Sequence, residues 1–229
     1  MNLFNTLLYQ PLLSLLKFIY CNLAFYNLGL AIIILTVLIR VILLPFFYKG
    51  AKNQIILQKL MPYIKQIQKK YKDQRQKQAE LLIKLYRRYK INPFSGFFLL
   101  IIQLPILIAL YRVFLNLNEI SELENFIFLG MNLIKPSFPL AIVAGFLQYF
   151  QTYLTLPKSF ESTKKNQEVS SKAVAYIFPV ITVAILVKLP SAIGIYWIVT
   201  ILFSILQQTY LNHKLKGMKV VVNDEISLD

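Results

Sequence analysis

The chain has little of what most catalytic sites need. Its 229 residues include one cysteine and one histidine, which excludes an internal disulfide and a thiolate metal cluster. Acidic residues are also scarce, because 10 Asp and Glu stand against 25 Lys and Arg, for a net charge of +15. The sequence has no Walker-type Gly–Lys loop for a nucleotide. We therefore expect no enzymatic activity, no cofactor and no metal site.

Apolar residues are abundant instead. They make up 57% of the chain, and the mean hydropathy is +0.56, far from the composition of a water-soluble domain. A helix that crosses the hydrocarbon core of a bilayer needs roughly 20 mostly apolar residues. Five segments approach this pattern, the fourth being the shortest: residues 28–47, 94–115, 138–156, 173–187 and 192–210. The sequence thus predicts an all-α membrane protein with five transmembrane helices.

The first 26 residues form a separate unit in this prediction. They are apolar, but polar side chains interrupt them, and Lys17 would lie near the middle of the membrane if the segment crossed it. We expect an N-terminal helix that lies in the membrane interface. A sixth span is the alternative.

The loops set the orientation. Residues 48–92 contain thirteen Lys or Arg and two acids, whereas residues 116–137 contain one Lys and three acids. Because Lys and Arg concentrate in cytoplasmic loops, we place residues 48–92 inside, the N-terminus outside and the tail, residues 213–229, inside. No Arg-rich, Ser-rich leader for organelle import is evident, so a bacterial plasma membrane is the expected location.

The basic loop has a helical pattern. Apolar residues recur at spacings of three and four on two stripes, with a turn expected at residues 72–74 between them: Leu57, Leu60, Ile64, Ile67 and Tyr71, then Leu81, Leu82, Leu85, Tyr86 and Tyr89. This predicts a helical hairpin. Its tyrosines fall on the apolar stripes and leave no stacking surface, which argues against DNA binding and leaves contact with ribosomal RNA. A solvated hairpin with no binding role is the alternative.

Arg40 is the strongest single signal. It precedes Tyr48 by eight residues, about 12 Å along a helix. An Arg near the middle of a membrane costs about 2.5–3.5 kcal/mol, so we expect it to face a hydrated cavity or a polar partner. Reaching the headgroups through a tilted helix is the alternative.

Further polar residues lie at membrane depth and are candidates to line one cavity: Thr36, Gln103, Gln148, Gln151, Thr152, Thr200, Ser204 and Gln207. Each of them could instead be a contact between helices. Trp197 lies beside Tyr196 in the last span. A place in an interfacial aromatic belt explains it as well as a place in the cavity.

Several motifs along the chain are shared with a known family. NLGLAIIILT at 27–36, LIR at 38–40 and LP at 44–45 resemble the first core span of the YidC-type membrane protein insertases, and the motifs that follow stand in the order that this family has them. LMPYIK at 60–65 and KKYKD at 69–73 are similar to the cytoplasmic hairpin, and NP at 92–93 with IQLPILIALY at 102–111 to the second span. LPSA at 189–192, YW at 196–197 and ILQQ at 205–208 are similar to the last span. FSGFF at 94–98 departs from the family, which often has Gly-Gly-Cys-Leu-Pro there.

The resemblance implies a core of residues 27–212 whose five helices enclose a hydrophilic groove, open to the cytoplasm and to lipid and closed outside. Arg40 would be its central charge, and the groove residues would be Arg40, Thr36, Gln103, Tyr196 and Trp197. The hairpin at 48–92 would recruit substrates or the ribosome, with Lys65, Lys69, Lys70 and Lys72 as the recruiting residues. The implied partners are nascent membrane proteins, the ribosome, the Sec translocon and the lipid bilayer.

Three functions remain open at this point. The first is insertion of membrane proteins without nucleotide or ion coupling. The second is transport of a small solute or lipid, with Arg40 binding an anion. The third is a partner subunit of a larger translocase, in which the groove is a docking surface.

Overall fold

The computed structural model describes residues 3–117, 123, 126–155 and 165–215, and this part is mostly helical, as predicted. A short π-helical turn, Asn5–Tyr9, leads into α1. The α-helices are α1 (Gln10–Asn22), α2 (Leu28–Ile42), α3 (Leu44–Lys70), α4 (Arg75–Arg88), α5 (Ser95–Leu115), α6 (Phe138–Thr155), α7 (Lys165–Leu186) and α8 (Ser191–Lys214). Between α5 and α6, β1 (Ile127–Phe128) pairs antiparallel with β2 (Met131–Asn132).

The helices follow the predicted apolar runs unevenly. α5 and α6 begin and end within one residue of the predicted bounds, whereas α7 begins eight residues earlier and α8 ends four residues later. Among the described helices, α8 alone is long and apolar enough to cross a membrane by itself, and α2 with α3 qualifies only as a bent pair. The stretches Ile101–Leu115 and Tyr176–Leu186 are shorter apolar helices.

The first predicted helix differs most from the structure. A single helix over residues 28–47 was expected, but α2 ends at Ile42 and α3 starts at Leu44, with a bend of 66° between them. Pro45 lies in the first turn of α3, where its missing N–H costs no hydrogen bond. Arg40 therefore lies in the last turn of α2, about 3 Å from its end, rather than about 12 Å.

One end of the helix bundle is held together by the β-strands, and we call it the β-hairpin end. The backbone N–H of Ser191 donates to the Lys135 carbonyl at 3.0 Å, and Ala192 donates to the Leu133 carbonyl at 3.0 Å, which ties the start of α8 to the segment after β2. A Cβ at Gly29 would lie 2.1 Å from Cγ of Phe128. The Phe128 ring of β1 thus packs directly on the backbone of α2 at Gly29.

The N-terminal segment lies at the same end. Arg112, in the last turn of α5, donates from Nη1 to Oδ1 of Asn5 at 3.2 Å, and its guanidinium lies 5.0 Å from the centre of the Phe4 ring. After α1 the chain returns to Leu28, beside β1. Both ends of the segment 4–27 are therefore at the β-hairpin end, and α1 does not run from one end of the bundle to the other.

The opposite end, which we call the helical-hairpin end, carries α3 and α4. The stripe residues Leu60, Ile64 and Leu85 are buried between these two helices, and a turn at 71–74 joins them. Side chains of α3 also reach the bundle. The Gln58 amide donates to the carbonyl of Thr155, and the Lys59 ammonium donates to that of Leu215, so α3 contacts the last residue of α6 and the residue after α8.

Candidate functional site

A cavity of about 290 Å³ lies among α2, α3, α5, α6 and α8, in the half of the bundle next to the helical hairpin. Its lining combines one cation, many amides and hydroxyls, and several apolar side chains. These residues are Arg40, Phe47, Ala51, Gln54, Gln103, Leu107, Gln148, Gln151, Thr155, Tyr196, Trp197, Thr200, Ile201, Ser204, Gln207 and Gln208.

Arg40 is the single charge of this lining, and it is 7% exposed. Its position in the last turn of α2 is favourable for a cation, because the helix dipole is negative there. Its guanidinium lies 4.6 Å from the centre of the Phe47 ring, which follows it across the bend into α3. Among the described residues, no acid forms an ion pair with Arg40. A buried cation without a counter-ion is an unfavourable state that a bound anion would relieve.

Helix α8 supplies the longest wall of the cavity. Tyr196, Thr200, Ser204 and Gln208 follow one another at spacings of four, so they share one face of the helix. The Gln103 amide of α5 donates to the Tyr196 hydroxyl, and both side chains line the cavity together with Arg40 of α2. The cavity thus lies where α2, α5 and α8 come together.

The remaining polar wall comes from α6 and α3. Gln148 and Gln151 lie one turn apart on α6, and Gln54 lies two turns after Phe47 on α3. The Nε2 atom of Gln207 is buried and finds no hydrogen-bond partner among the described residues. A buried amide without a partner carries a desolvation cost that a hydrogen-bonding ligand or water would offset.

The structure brings together most of the sequence-predicted candidates. Arg40, Gln103, Tyr196 and Trp197 all line the cavity, together with other polar residues singled out in the spans: Gln148, Gln151, Thr200, Ser204 and Gln207. Thr36 does not line it, because the residue is 1% exposed and its hydroxyl donates to the Ile32 carbonyl of its own helix at 2.6 Å. Thr152 is also outside the lining, and its hydroxyl donates to the Gln148 carbonyl at 2.8 Å.

Sequence reasoning missed Phe47, Gln54 and Gln208. The spacing of Arg40, Phe47, Ala51 and Gln54 is seven, four and three, which continues one helical face from α2 into α3. That periodicity was the available signal. It was hidden because the prediction assigns residues 48–92 to a cytoplasmic helical hairpin, apart from the membrane spans.

The four lysines predicted to recruit partners lie away from the cavity. Lys69 and Lys70 end α3, and Lys72 follows in the turn, all three exposed, whereas Lys65 is half-buried. The Lys70 ammonium lies 5.4 Å from the centre of the Tyr71 ring. The structure therefore separates a basic tip on the helical hairpin from Arg40, the one buried cation among the described residues.

The cavity is suited to binding by hydrogen bonds and charge. No group of three or more His, Cys, Asp or Glu side chains able to hold a metal occurs in the described part of the chain. The lining offers a guanidinium, amides and hydroxyls, which bind carboxylates and peptide groups.

Comparison with known proteins gives consistent matches. A family model described as 60Kd inner membrane protein matches residues 19–219. A protein of Wolinella succinogenes named Membrane protein insertase YidC is 35% identical over 219 residues, which cover 94% of this chain and 39% of that protein. A protein of the same name from Clostridium tetani is 36% identical over 192 residues, which cover 83% of this chain and 84% of that protein. Membrane protein insertase YidC 1 of Halalkalibacterium halodurans is 32% identical over 216 residues, which cover 93% of this chain and 80% of that protein.

Proposed function

Because the chain belongs to the 60Kd inner membrane protein family, we propose that it inserts proteins into a membrane through the Arg40 cavity. The names of its relatives state the insertase activity for those proteins. The observation that carries the proposal for this chain is a buried cation in a polar cavity, with no acidic partner among the described residues. Such a site attracts a carboxylate on an incoming polypeptide.

In the proposed topology, α2, α5, α6, α7 and α8 cross the membrane and the α3–α4 hairpin lies in the cytoplasm. The thirteen Lys or Arg against two acids in residues 48–92 support this orientation. The N-terminus is then outside and the C-terminus inside, in a bacterial plasma membrane. The position of the segment 4–27 at the β-hairpin end supports an interfacial α1 on the outer side.

The mechanism follows from the position of the cavity. A polar tail entering from the cytoplasm replaces water in a lining of amides and hydroxyls, so the apolar barrier left to cross is shorter. Arg40 pairs with a carboxylate of the tail on its way to the membrane centre, where an unpaired carboxylate would cost about 2.5–3.5 kcal/mol. About ten Leu or Ile residues of the substrate helix return about 3–6 kcal/mol on entering lipid. The substrate therefore supplies the driving force, and no nucleotide is needed.

The helical hairpin has a separate role in this proposal. Its exposed Lys69, Lys70 and Lys72 form a basic tip that suits contact with ribosomal RNA during synthesis of a nascent membrane protein. Lys65 lies one turn closer to the bundle. The Sec translocon remains a proposed partner on the basis of the resemblance alone.

Reconstitution tests the proposal. The purified protein is placed in liposomes, and a single-span substrate with a short acidic tail is synthesised in their presence. Protection of the tail from protease measures insertion. We expect Arg40→Gln to reduce insertion about tenfold, because a charge-assisted hydrogen bond contributes about 1.5–3 kcal/mol. Arg40→Lys keeps the charge and is expected to retain much of the activity.

The matched control changes the substrate. Replacing Asp by Asn in the tail is expected to make insertion insensitive to Arg40→Gln. An equal loss of insertion for acidic and neutral tails would show that the charge of Arg40 has no part in the mechanism. Tail protection no greater than in empty liposomes would favour a partner subunit, and flux of a labelled anion or lipid would favour a transporter.

A further inference from the structure

A second cavity of about 290 Å³ lies between α3 and the start of α5, separate from the Arg40 cavity. Its polar lining includes Lys49 and Asn53, one turn apart on α3, Asn92, which lies three residues before α5, and Ser95, the first residue of α5. The residues that surround it include no acid. The cavity is therefore basic and rich in hydrogen-bond donors.

The lining of this cavity offers several hydrogen-bond donors. Oδ1 of Asn92 accepts the backbone N–H of Phe94 at 2.8 Å, which leaves the Asn92 amide nitrogen as the donor. The Lys49 ammonium, the Asn53 amide and the Ser95 hydroxyl provide further donors. An anion with several oxygen atoms, such as a phosphate, is the kind of ligand that accepts from several such donors.

The same cavity has an apolar side that a soluble anion would not use. Phe46 and Phe98 line it, and they are 58% and 57% exposed. Both rings lie close to the bend between α2 and α3, at the helical-hairpin end. In the proposed topology this is the level of the cytoplasmic headgroups, where a lysine places its stem along apolar groups and its ammonium among phosphates.

We propose that this cavity binds the phosphodiester of an anionic phospholipid of the cytoplasmic leaflet. Lys49 pairs with the phosphate, the two Asn and Ser95 donate to its oxygens, and an acyl chain lies over Phe46 and Phe98. The inference rests on the proposed membrane topology, but it does not depend on insertion of any substrate.

Native mass spectrometry of the full chain in detergent tests the site. The measurement is retention of phosphatidylglycerol against phosphatidylcholine of equal chain length. We expect a preference for phosphatidylglycerol that falls about tenfold in Lys49→Gln. Lys52→Gln is the matched control, because Lys52 is exposed on the same helix and does not line the cavity. Equal losses of this preference in the two variants would show that it depends on surface charge in general, and this would overturn the proposal.

Two further arms separate the lipid from a free anion. Phe46→Ala is expected to weaken phosphatidylglycerol retention severalfold, whereas inorganic phosphate at equal concentration is expected not to displace the lipid. Displacement by inorganic phosphate, with no effect of Phe46→Ala, would identify a soluble-anion site instead. Asn53→Ala provides a second polar variant, and unchanged thermal unfolding shows that each variant is folded. Because insertion is not measured, failure here leaves the Arg40 proposal intact.

Discussion

The two ends of the helix bundle differ in what lies between the same helices. Apolar side chains fill the space at one end, and a polar cavity occupies it toward the other. At the β-hairpin end, α2, α5 and α8 meet through Leu28, Phe114 and Ile193, each at most 1% exposed. Toward the helical-hairpin end, the same three helices surround a cavity with Arg40 and Gln103 in its wall. A bundle that is packed at one end and hollow at the other can admit a polar chain from one side only. The difference matches the proposed insertion of a polar tail from one side.

Truncation at the packed end is expected to have the largest effect. Phe114→Ala should lower the free energy of unfolding by about 3 kcal/mol, because the side chain is fully buried and its loss leaves a void. Phe146→Ala is the control, since this ring is 70% exposed and its loss should cost less than about 0.5 kcal/mol. Unfolding by SDS titration in mixed micelles measures both. Equal losses would mean that the β-hairpin end is not the more tightly packed region.

A matched pair of polar substitutions sharpens the comparison. Leu35, in the packed core, and Ile201, in the cavity wall, are 1% and 2% exposed. Leu35→Gln should cost about 2 kcal/mol by burying an amide without a partner, whereas Ile201→Gln should cost less than half of this because its neighbours are polar. The same SDS titration measures the difference. A larger loss at Ile201 would contradict a polar cavity.

Phe47 tests how Arg40 is held. A ring at 4.6 Å contributes about 1 kcal/mol to a partly desolvated guanidinium, so Phe47→Leu should reduce insertion of an acidic-tailed substrate about fivefold. Phe47→Tyr keeps a ring and should retain insertion. If Phe47→Leu and Phe47→Tyr inserted the substrate equally well, Phe47 would not position Arg40.

The smallest effect is expected on the exposed side of the helical hairpin. The Lys84 ammonium, 2.8 Å from Glu80, holds the pKa of that carboxyl below its usual value. The pair therefore contributes above the ordinary carboxyl pKa, and the contribution disappears as the pH falls through the lowered value. Because both side chains are exposed, Glu80→Gln should leave thermal unfolding at neutral pH unchanged. A clear destabilisation would mean that this ion pair contributes more to the stability of the helical hairpin than its exposure predicts.

The sequence predicted those features that depend on residues close together in the chain. The stripes that contain Leu60, Ile64 and Leu85 are buried between α3 and α4, because a spacing of three and four puts them on one face of each helix. Arg40 stood out because an ionised side chain in an apolar run must have a compensating environment. Neither inference needed contacts between distant parts of the chain.

Long-range packing and one backbone bend could not be read in this way. Gln103 and Tyr196 are 93 residues apart, and no periodicity says that they meet. The apolar run continues through Leu43, so hydrophobicity gave no sign of the break, although Pro45 was the one local hint. The bend turns Phe47 back over Arg40 and brings Gln54 into the cavity wall. Thr36 lies outside the cavity lining for a local reason, since its hydroxyl donates to a carbonyl within its own helix.

Cysteine accessibility tests the one-sided cavity most directly. In a Cys21→Ser background, Ser204→Cys places a thiol in the cavity wall and Ile193→Cys places one in the packed end. Inside-out and right-side-out vesicles are then treated with a membrane-impermeant maleimide. A cavity open only to the cytoplasm predicts labelling of Ser204→Cys in inside-out vesicles alone and of Ile193→Cys in neither. Labelling of Ser204→Cys from the outer side, or from neither side, would contradict it.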